Sequence, residues 1–154
     1  MPLQVVINNT PIVYPDYFSI EFTVAGRKAQ GGITEINYSD NVERGQATAN
    51  QRQVLGKTPG MYKADDGSFS IHMEDGQEII DLLSPGFYDK IFDILVAYQM
   101  PRTNRIVRDT LAKVQLKKQD HAHKSGTDPL VKKFEFELHY ILWNGQNPLL
   151  RMRL

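Results

Sequence analysis

The sequence predicts a mostly β protein, a β-sandwich or barrel with one flanking α-helix and a long protruding loop. Three observations carry that prediction. Apolar and polar residues alternate in most of the apolar segments, the period of a strand with one buried face. A single stretch changes to helical spacing. A long polar stretch follows neither period and interrupts the run of strands.

Taken in order, Phe18, Ile20, Phe22 and Val24 fall on one face of a strand and Ser19, Glu21 and Thr23 on the other. Ala25-Gly26-Arg27 supplies turn chemistry, and Gly32–Tyr38 reads as the strand that returns from it. The segment Ser39–Tyr62 is then longer than the roughly 12–15 residues that compact domains leave without structure. It is punctuated by Gly45, Gly56, Pro59 and Gly60, too hydrophobic for a linker and too irregular for an element, which fits a segment ordered against a neighbouring molecule. Gly67–Met73 alternates again, with Phe69, Ile71 and Met73 in phase. The helix covers Glu74–Leu83: acidic residues in its first turn favour the dipole, Ile79, Ile80, Leu82 and Leu83 form its apolar stripe, and Ser84-Pro85-Gly86 ends it. A short helical turn over Phe87–Ile91 is compatible with the pattern. Strands follow at Phe92–Tyr98, at Leu111–Lys118 and, most clearly, at Phe134–Leu142, where Phe134, Phe136, Leu138 and Tyr140 oppose Glu135, Glu137 and His139. About six or seven strands with one helix make a two-layer or closed β fold.

A length of 154 residues predicts one domain, spanning 1–154. Eighteen basic residues balance eighteen acidic ones, so the basic excess of a phosphate-gripping protein is missing. Near-zero net charge removes long-range repulsion between copies, which permits close assembly. The absence of cysteine excludes disulfides, thiolate metal sites and a thiol nucleophile. MPLQVVINNT has no secretory pattern and no apolar run is long enough to span a bilayer, so cytoplasmic synthesis and no membrane partner are expected.

The search for chemistry leads away from catalysis. His121-Ala-His123 could offer two imidazoles to a metal, but no third ligand is fixed nearby and the surrounding residues read as a solvated turn. Glu135 and Glu137 share a face yet alternate with Phe134 and Phe136, as the wet side of any half-buried strand does. Gly56-Lys-Thr-Pro-Gly60 lacks the spacing and flanking elements of a phosphate loop. Lys113, Lys117, Lys118, Lys132 and Lys133 are offset by Asp120, Glu135 and Glu137, which makes a mixed-charge face rather than a nucleic-acid site. Trp143, before Asn144-Gly145, reads as a turn-flanking core or interface aromatic. The expectation is no enzyme, no metal and no cofactor.

A more specific pattern then emerges. Gly32-Ile-Thr-Glu-Ile-Asn-Tyr-Ser-Asp40, Glu43-Arg44-Gly45, Asn50, Arg52 and Leu55-Gly-Lys-Thr-Pro-Gly-Met-Tyr62 resemble the tail tube proteins of tailed bacteriophages. The acidic helix, Phe92–Tyr98, Ser125–Leu130 and Tyr140–Pro148 keep the same order, so the resemblance covers about Phe18 to Pro148. It implies a sandwich whose copies form hexameric rings with one continuous inner barrel. The rings stack into a tube through which genome DNA passes as cargo. It implies self-association, with sheath (in a contractile tail), tape measure, terminator and baseplate proteins as further partners. The location it implies is the virion tail, assembled in the host cytoplasm. The stretch at about 39–61 matches the family's long loop between subunits or rings, which implies contact roles for Glu43, Arg44, Asn50, Arg52 and Lys57 and buried anchors in Val54, Leu55 and Met61. Glu21, Thr23, Lys113, Lys117, Glu135 and Glu137 are candidates for the bore wall, which must not hold phosphates. Two alternatives stand beside this reading: the inner tube of a bacterial contractile secretion or injection system, and a small β-barrel that encloses a ligand under the loop as a lid.

Overall fold

A computed structural model of the chain describes residues 6–7, 10–11, 13–29 and 33–150. A short pair, β1 (Val6–Ile7) with β2 (Thr10–Pro11), precedes the body. The strands β3 (Ile20–Val24), β4 (Arg27–Ala29) and β5 (Ile33–Asn37) follow. Next come β6 (Asp40–Glu43), β7 (Gln46–Ala47), β8 (Gly56–Lys57) and β9 (Met61–Ala64). Then β10 (Gly67–His72) leads into α1 (Met73–Leu83), followed by β11 (Phe92–Met100), β12 (Arg105–His121), β13 (Val131–Glu137) and β14 (Tyr140–Leu142).

The body is a sandwich folded about one long strand. All its pairings are antiparallel, in the order β4-β3-β11-β12 and on through β13-β10-β5, with β14 also on β12. β12 runs for 17 residues and belongs to both layers. Its first part carries β11 and β14, its last part β13. The inward set of β12 changes phase midway: Val107, Asp109 and Leu111 are buried, then Ala112, Val114 and Leu116. The change falls at Lys113, whose φ of 54° marks a bulge opposite Phe92–Ile94 and bends the strand from one layer into the other. Phe69, Ile71, Phe134 and Phe136 from one layer meet Val24, Ile94, Val96 and Leu111 from the other in one core. The Phe69 ring stacks tilted on Phe134 at 5.0 Å and on Phe136 at 5.9 Å. Gly67 is required by this packing, because a Cβ there would lie 2.5 Å from the Phe136 ring and 2.6 Å from the Asn37 carbonyl.

α1 closes the end of the sandwich where β10 finishes and β13 begins. It buries Gly76, Ile79, Ile80 and Leu83, and the missing side chain of Gly76 lets the helix approach Ile71 and Lys132. Glu74 and Asp75 occupy its first turn as the sequence predicts, while Leu82 faces water at 52% exposure.

Several expectations need correction. The strand returning from Ala25-Gly26 is β4, because both turn residues take left-handed φ (52° and 79°) and join Val24 to Arg27 in a two-residue loop. Ile33–Asn37 pairs with β10 in the other layer, and Gly32 lies outside the described residues. Phe18 belongs to a 3-10 turn, Tyr17–Ser19, and is 94% exposed. Phe87–Ile91 holds a hydrogen-bonded turn (Asp89 N–H to the Gly86 carbonyl, 2.9 Å) and no helix. Phe134–Leu142 is two strands, because the chain leaves the ladder after Glu137 and rejoins β12 through His139 N–H to the Ala112 carbonyl, 3.1 Å. Ser39–Tyr62 is not irregular; it is an ordered β-hairpin.

Candidate functional site

That hairpin is an arm leaving the end of the sandwich opposite α1. β6 and β9 pair from Asp40↔Ala64 to Glu43↔Met61, and β7 with β8 continue the ladder at Gln46↔Lys57 and Ala47↔Gly56. Between the two ladders Thr58 N–H donates to the Gly45 carbonyl and Gly45 N–H to Thr58 Oγ1, both at 2.8 Å. Gly60 sits at φ +85°, where a Cβ would lie 2.3 Å from the Glu43 carbonyl, so only glycine fits. The eight arm residues singled out in the sequence, Glu43, Arg44, Asn50, Arg52, Val54, Leu55, Lys57 and Met61, are all exposed. Val54, Leu55 and Met61 present apolar side chains at 46%, 56% and 69% exposure on a hydrogen-bonded scaffold.

The root of the arm is held by two carboxylates. Asp40 Oδ2 accepts from the Tyr62 hydroxyl at 2.7 Å and from Trp143 Nε1 at 2.8 Å, and the Tyr62 oxygen accepts from Ile141 N–H at 3.1 Å. Asp109, 3% exposed, accepts from the Tyr38 hydroxyl at 2.8 Å and from Asn144 N–H at 3.1 Å. Tyr38 and Trp143 stack with centroids 5.5 Å apart. Asp65 adds a third hold by accepting from Ser39 and Asn41. Burial, then the hydrogen bond to Asp109, pushes the Tyr38 phenol well above its ordinary range. Burial, then the bond to Asp40, pushes Tyr62 up to about 12. Sequence reasoning read Trp143 as a turn-flanking core or interface aromatic and missed its bond to Asp40 and the neighbouring Asp109 site, because a carboxylate carries no periodic signal.

The six bore-wall candidates do not share a surface. Glu21 and Thr23 lie on the outer face of the layer β4-β3-β11-β12-β14, beside Leu95, Ala97, Ile106 and Arg108. Glu21 is 3.6 Å from Lys28. Glu135 and Glu137 lie on the opposite outer face, that of β12-β13-β10-β5, with Ser68, Ser70, Lys118, Lys133 and Asp120 across the ladders. Lys117 is the extra residue of a second irregularity in β12 and pairs with Asp66 at 2.6 Å, which raises its pKa. Lys113 sits exposed at the bend, its N–H on Asp93 Oδ1 at 3.1 Å.

The His121 and His123 rings are 5.5 Å apart, and among the described residues no group of three or more potential ligands is placed to hold a metal ion. No helix among them is long and apolar enough to cross a membrane. Among the described residues the interior between the layers is filled by side chains, with Phe69, Phe134 and Phe136 at 1% exposure or less. A cleft of about 380 Å³ lies outside the core, between α1 and the β3–β4 turn, and is spanned by an Arg27–Glu78 ion pair.

This fold is similar to that of chains in solved tube and terminator assemblies of contractile injection systems. A chain of the sheath/tube terminator of the extracellular contractile injection system PVC superposes with a TM-score of 0.66 at 10% identity, over 84% of this chain and 96% of that one. A chain of the PVC sheath–tube complex in its extended state gives 0.65 at 10% identity, over 82% and 88%. A chain of the tube-terminating cap of the anti-feeding prophage gives 0.64 at 11% identity, over 92% of each. No protein-family model and no curated protein matches the sequence.

Proposed function

We propose that this chain is the structural subunit of a phage tail tube, without enzymatic activity, whose copies close into six-membered rings that stack around a bore conducting DNA during ejection. The observation that carries the reading is the likeness of the whole fold to tube and terminator proteins, over most of both chains. The ordered arm adds support: a tube needs a surface that reaches beyond one ring, and Val54, Leu55 and Met61 are held in water ready for burial. In this reading the arm meets the adjacent subunit or ring, with Arg44, Arg52 and Lys57 in polar contacts and Glu43 and Asn50 beside them. Ring closure is heterologous, one surface of each copy on a different surface of the next. Further partners are sheath, tape measure, terminator and baseplate proteins, in a virion tail assembled in the host cytoplasm.

The inner tube of a bacterial contractile injection system is a second reading, favoured by the source of the three neighbours. It keeps every assembly claim and drops the DNA cargo.

Negative-stain microscopy of the purified protein at rising concentration tests both. Six-fold rings and tubes of uniform bore are expected. A protein that stays monomeric at high concentration with its arm intact is not a tube subunit.

A further inference from the structure

We infer that Asn144 is a site of spontaneous deamidation that the arm root holds closed: the amide is spared while the root is intact and is converted to aspartate and isoaspartate when the root opens.

The chemistry begins in the sequence. Asn144 is the only asparagine followed by glycine. Loss of a side-chain amide runs through attack by the next residue's backbone nitrogen, so that residue controls access. Glycine has no Cβ to crowd the approach, and Gly145 is exposed. In the step, Gly145 N forms a bond to Asn144 Cγ, the Cγ–Nδ2 bond breaks, and the Gly145 proton leaves with that nitrogen as ammonia. Water then opens the cyclic imide. Cleavage at Cγ gives aspartate. Cleavage at the backbone carbonyl gives isoaspartate, in which the chain runs through the former side chain. Water is the only co-reactant.

The fold opposes that attack. Asn144 (φ 54°) and Gly145 (φ 75°) are both left-handed, the central pair of a two-residue turn that Gln146 N–H closes on the Trp143 carbonyl at 3.0 Å. Asn144 Oδ1 accepts from Arg108 N–H at 3.2 Å, filling the ladder position two residues beyond the Thr110↔Leu142 pair. The Asn144 N–H donates to Asp109 Oδ1 at 3.1 Å. For Cγ to turn towards Gly145 N, its oxygen has to leave Arg108. The turn is also locked to the arm, because Asp109 holds Tyr38 and Trp143 donates to Asp40. Opening of the root therefore frees the amide.

Conversion acts back on the root. Aspartate at position 144 adds a negative charge next to the Asp109 carboxylate, which is 3% exposed, and like charges at such range disfavour each other. Isoaspartate lengthens the backbone of a two-residue turn, so Trp143 and Gln146 lose their pairing and Trp143 Nε1 loses its aim at Asp40. Either product loosens the arm.

Peptide mapping by mass spectrometry, with enzymatic isoaspartyl methylation as a second readout, follows each asparagine in mildly alkaline buffer with and without denaturing urea. In urea, Asn144 should convert before any other asparagine. In native buffer its bonds to Arg108 and Asp109 must break first, so its rate should fall about tenfold or more. Tyr38→Phe, which removes a donor from Asp109, should raise the native rate several-fold and leave the rate in urea unchanged. Another asparagine converting first in urea overturns the site. Equal rates with and without urea overturn the gate, and so does the parent's native rate in folded Tyr38→Phe. Should that variant not fold, the parent below its urea midpoint takes its place: conversion has to climb before global unfolding, and a flat rate up to the midpoint overturns the gate. Converted protein, separated by its added charge, should show altered Trp143 fluorescence. An unchanged spectrum overturns the loosening.

Discussion

Tyr62 joins three parts of the chain through one oxygen: its hydroxyl donates to Asp40 and accepts from Ile141 N–H, while the same Asp40 oxygen accepts from Trp143. Replacing it by phenylalanine strands the Ile141 N–H and leaves Asp40 with a single donor on that oxygen. Loss of hydrogen bonds of this kind, one of them to a charged group, costs about 1–3 kcal/mol. The phenol also makes stability depend on alkaline pH. Its folded pKa, about 12, lies above the ordinary value of 10.0, so the folded state holds its proton more tightly than the unfolded chain. The contribution is fully present below pH 10.0 and disappears as the pH rises through about 12, and Tyr38, shifted the same way by burial and Asp109, acts in the same direction. Tyr62→Phe should therefore unfold at lower urea than the parent at pH 7 and lose less between pH 9 and pH 11. Trp143 is the only tryptophan, so its fluorescence reports the arm root itself. Equal urea midpoints for parent and variant at pH 7 would refute the claim that this oxygen ties the arm down.

The arm is where element-level reading of the sequence and the structure part most clearly. Strands with one buried face were legible: β10 alternates buried and half-buried residues throughout, and β13 buries Lys132, Phe134 and Phe136 in phase. In the outer arm, β7 and β8, neither face is buried, and along β6 and β9 the inward Asp40, Val42 and Tyr62 are only half-buried, so the ladder leaves too weak a hydrophobic period and reads as a loop. The first part of β12 was lost for a different reason. Its inward set includes a buried Asp109 and changes phase at Lys113, so a single period fails across it. Because the tip makes no buried contact with the body, its removal should cost the sandwich little. Replacing Thr48–Leu55 by Asn-Gly would join the paired residues Ala47 and Gly56 through a two-residue turn. The shortened protein should keep its unfolding free energy, measured in urea, to within about 0.5 kcal/mol, still form rings and fail to stack them. Tubes of normal length from this variant would remove the tip from the contact between rings. Loss of folding would place it in the core after all.

At the scale of the whole molecule, the exposed apolar residues of the arm were more legible in the sequence than its anchoring. Apolar residues in a polar stretch marked Val54, Leu55 and Met61 directly, but the contacts that aim them join Tyr38 to Asp109, 71 positions away, and Asp40 to Trp143, 103 away. No local pattern encodes such partners. The split of the bore candidates between two faces was equally hidden, because alternation places residues on a face without saying which layer owns it. A tube multiplies whatever that face carries, since each side chain is repeated around every ring. On the outer face of β12-β13-β10-β5, Glu35, Asp120, Glu135 and Glu137 stand against Lys118 and Lys133, so a bore lined by that face is mixed and leans acidic, and phosphates find no continuous cationic track. Glu137 lies opposite Gln115, and the nearest cation it feels, Lys117, is already paired with Asp66. Assembled Glu137→Lys tubes should therefore retain a short DNA duplex at low salt, protect it from nuclease and release it as salt rises, because counterion release drives that binding. Parent tubes should retain none. Duplex that binds the variant but stays open to nuclease would put Glu137 on the outside of the tube. Equal retention by parent and variant would mean that the wall charge does not control passage.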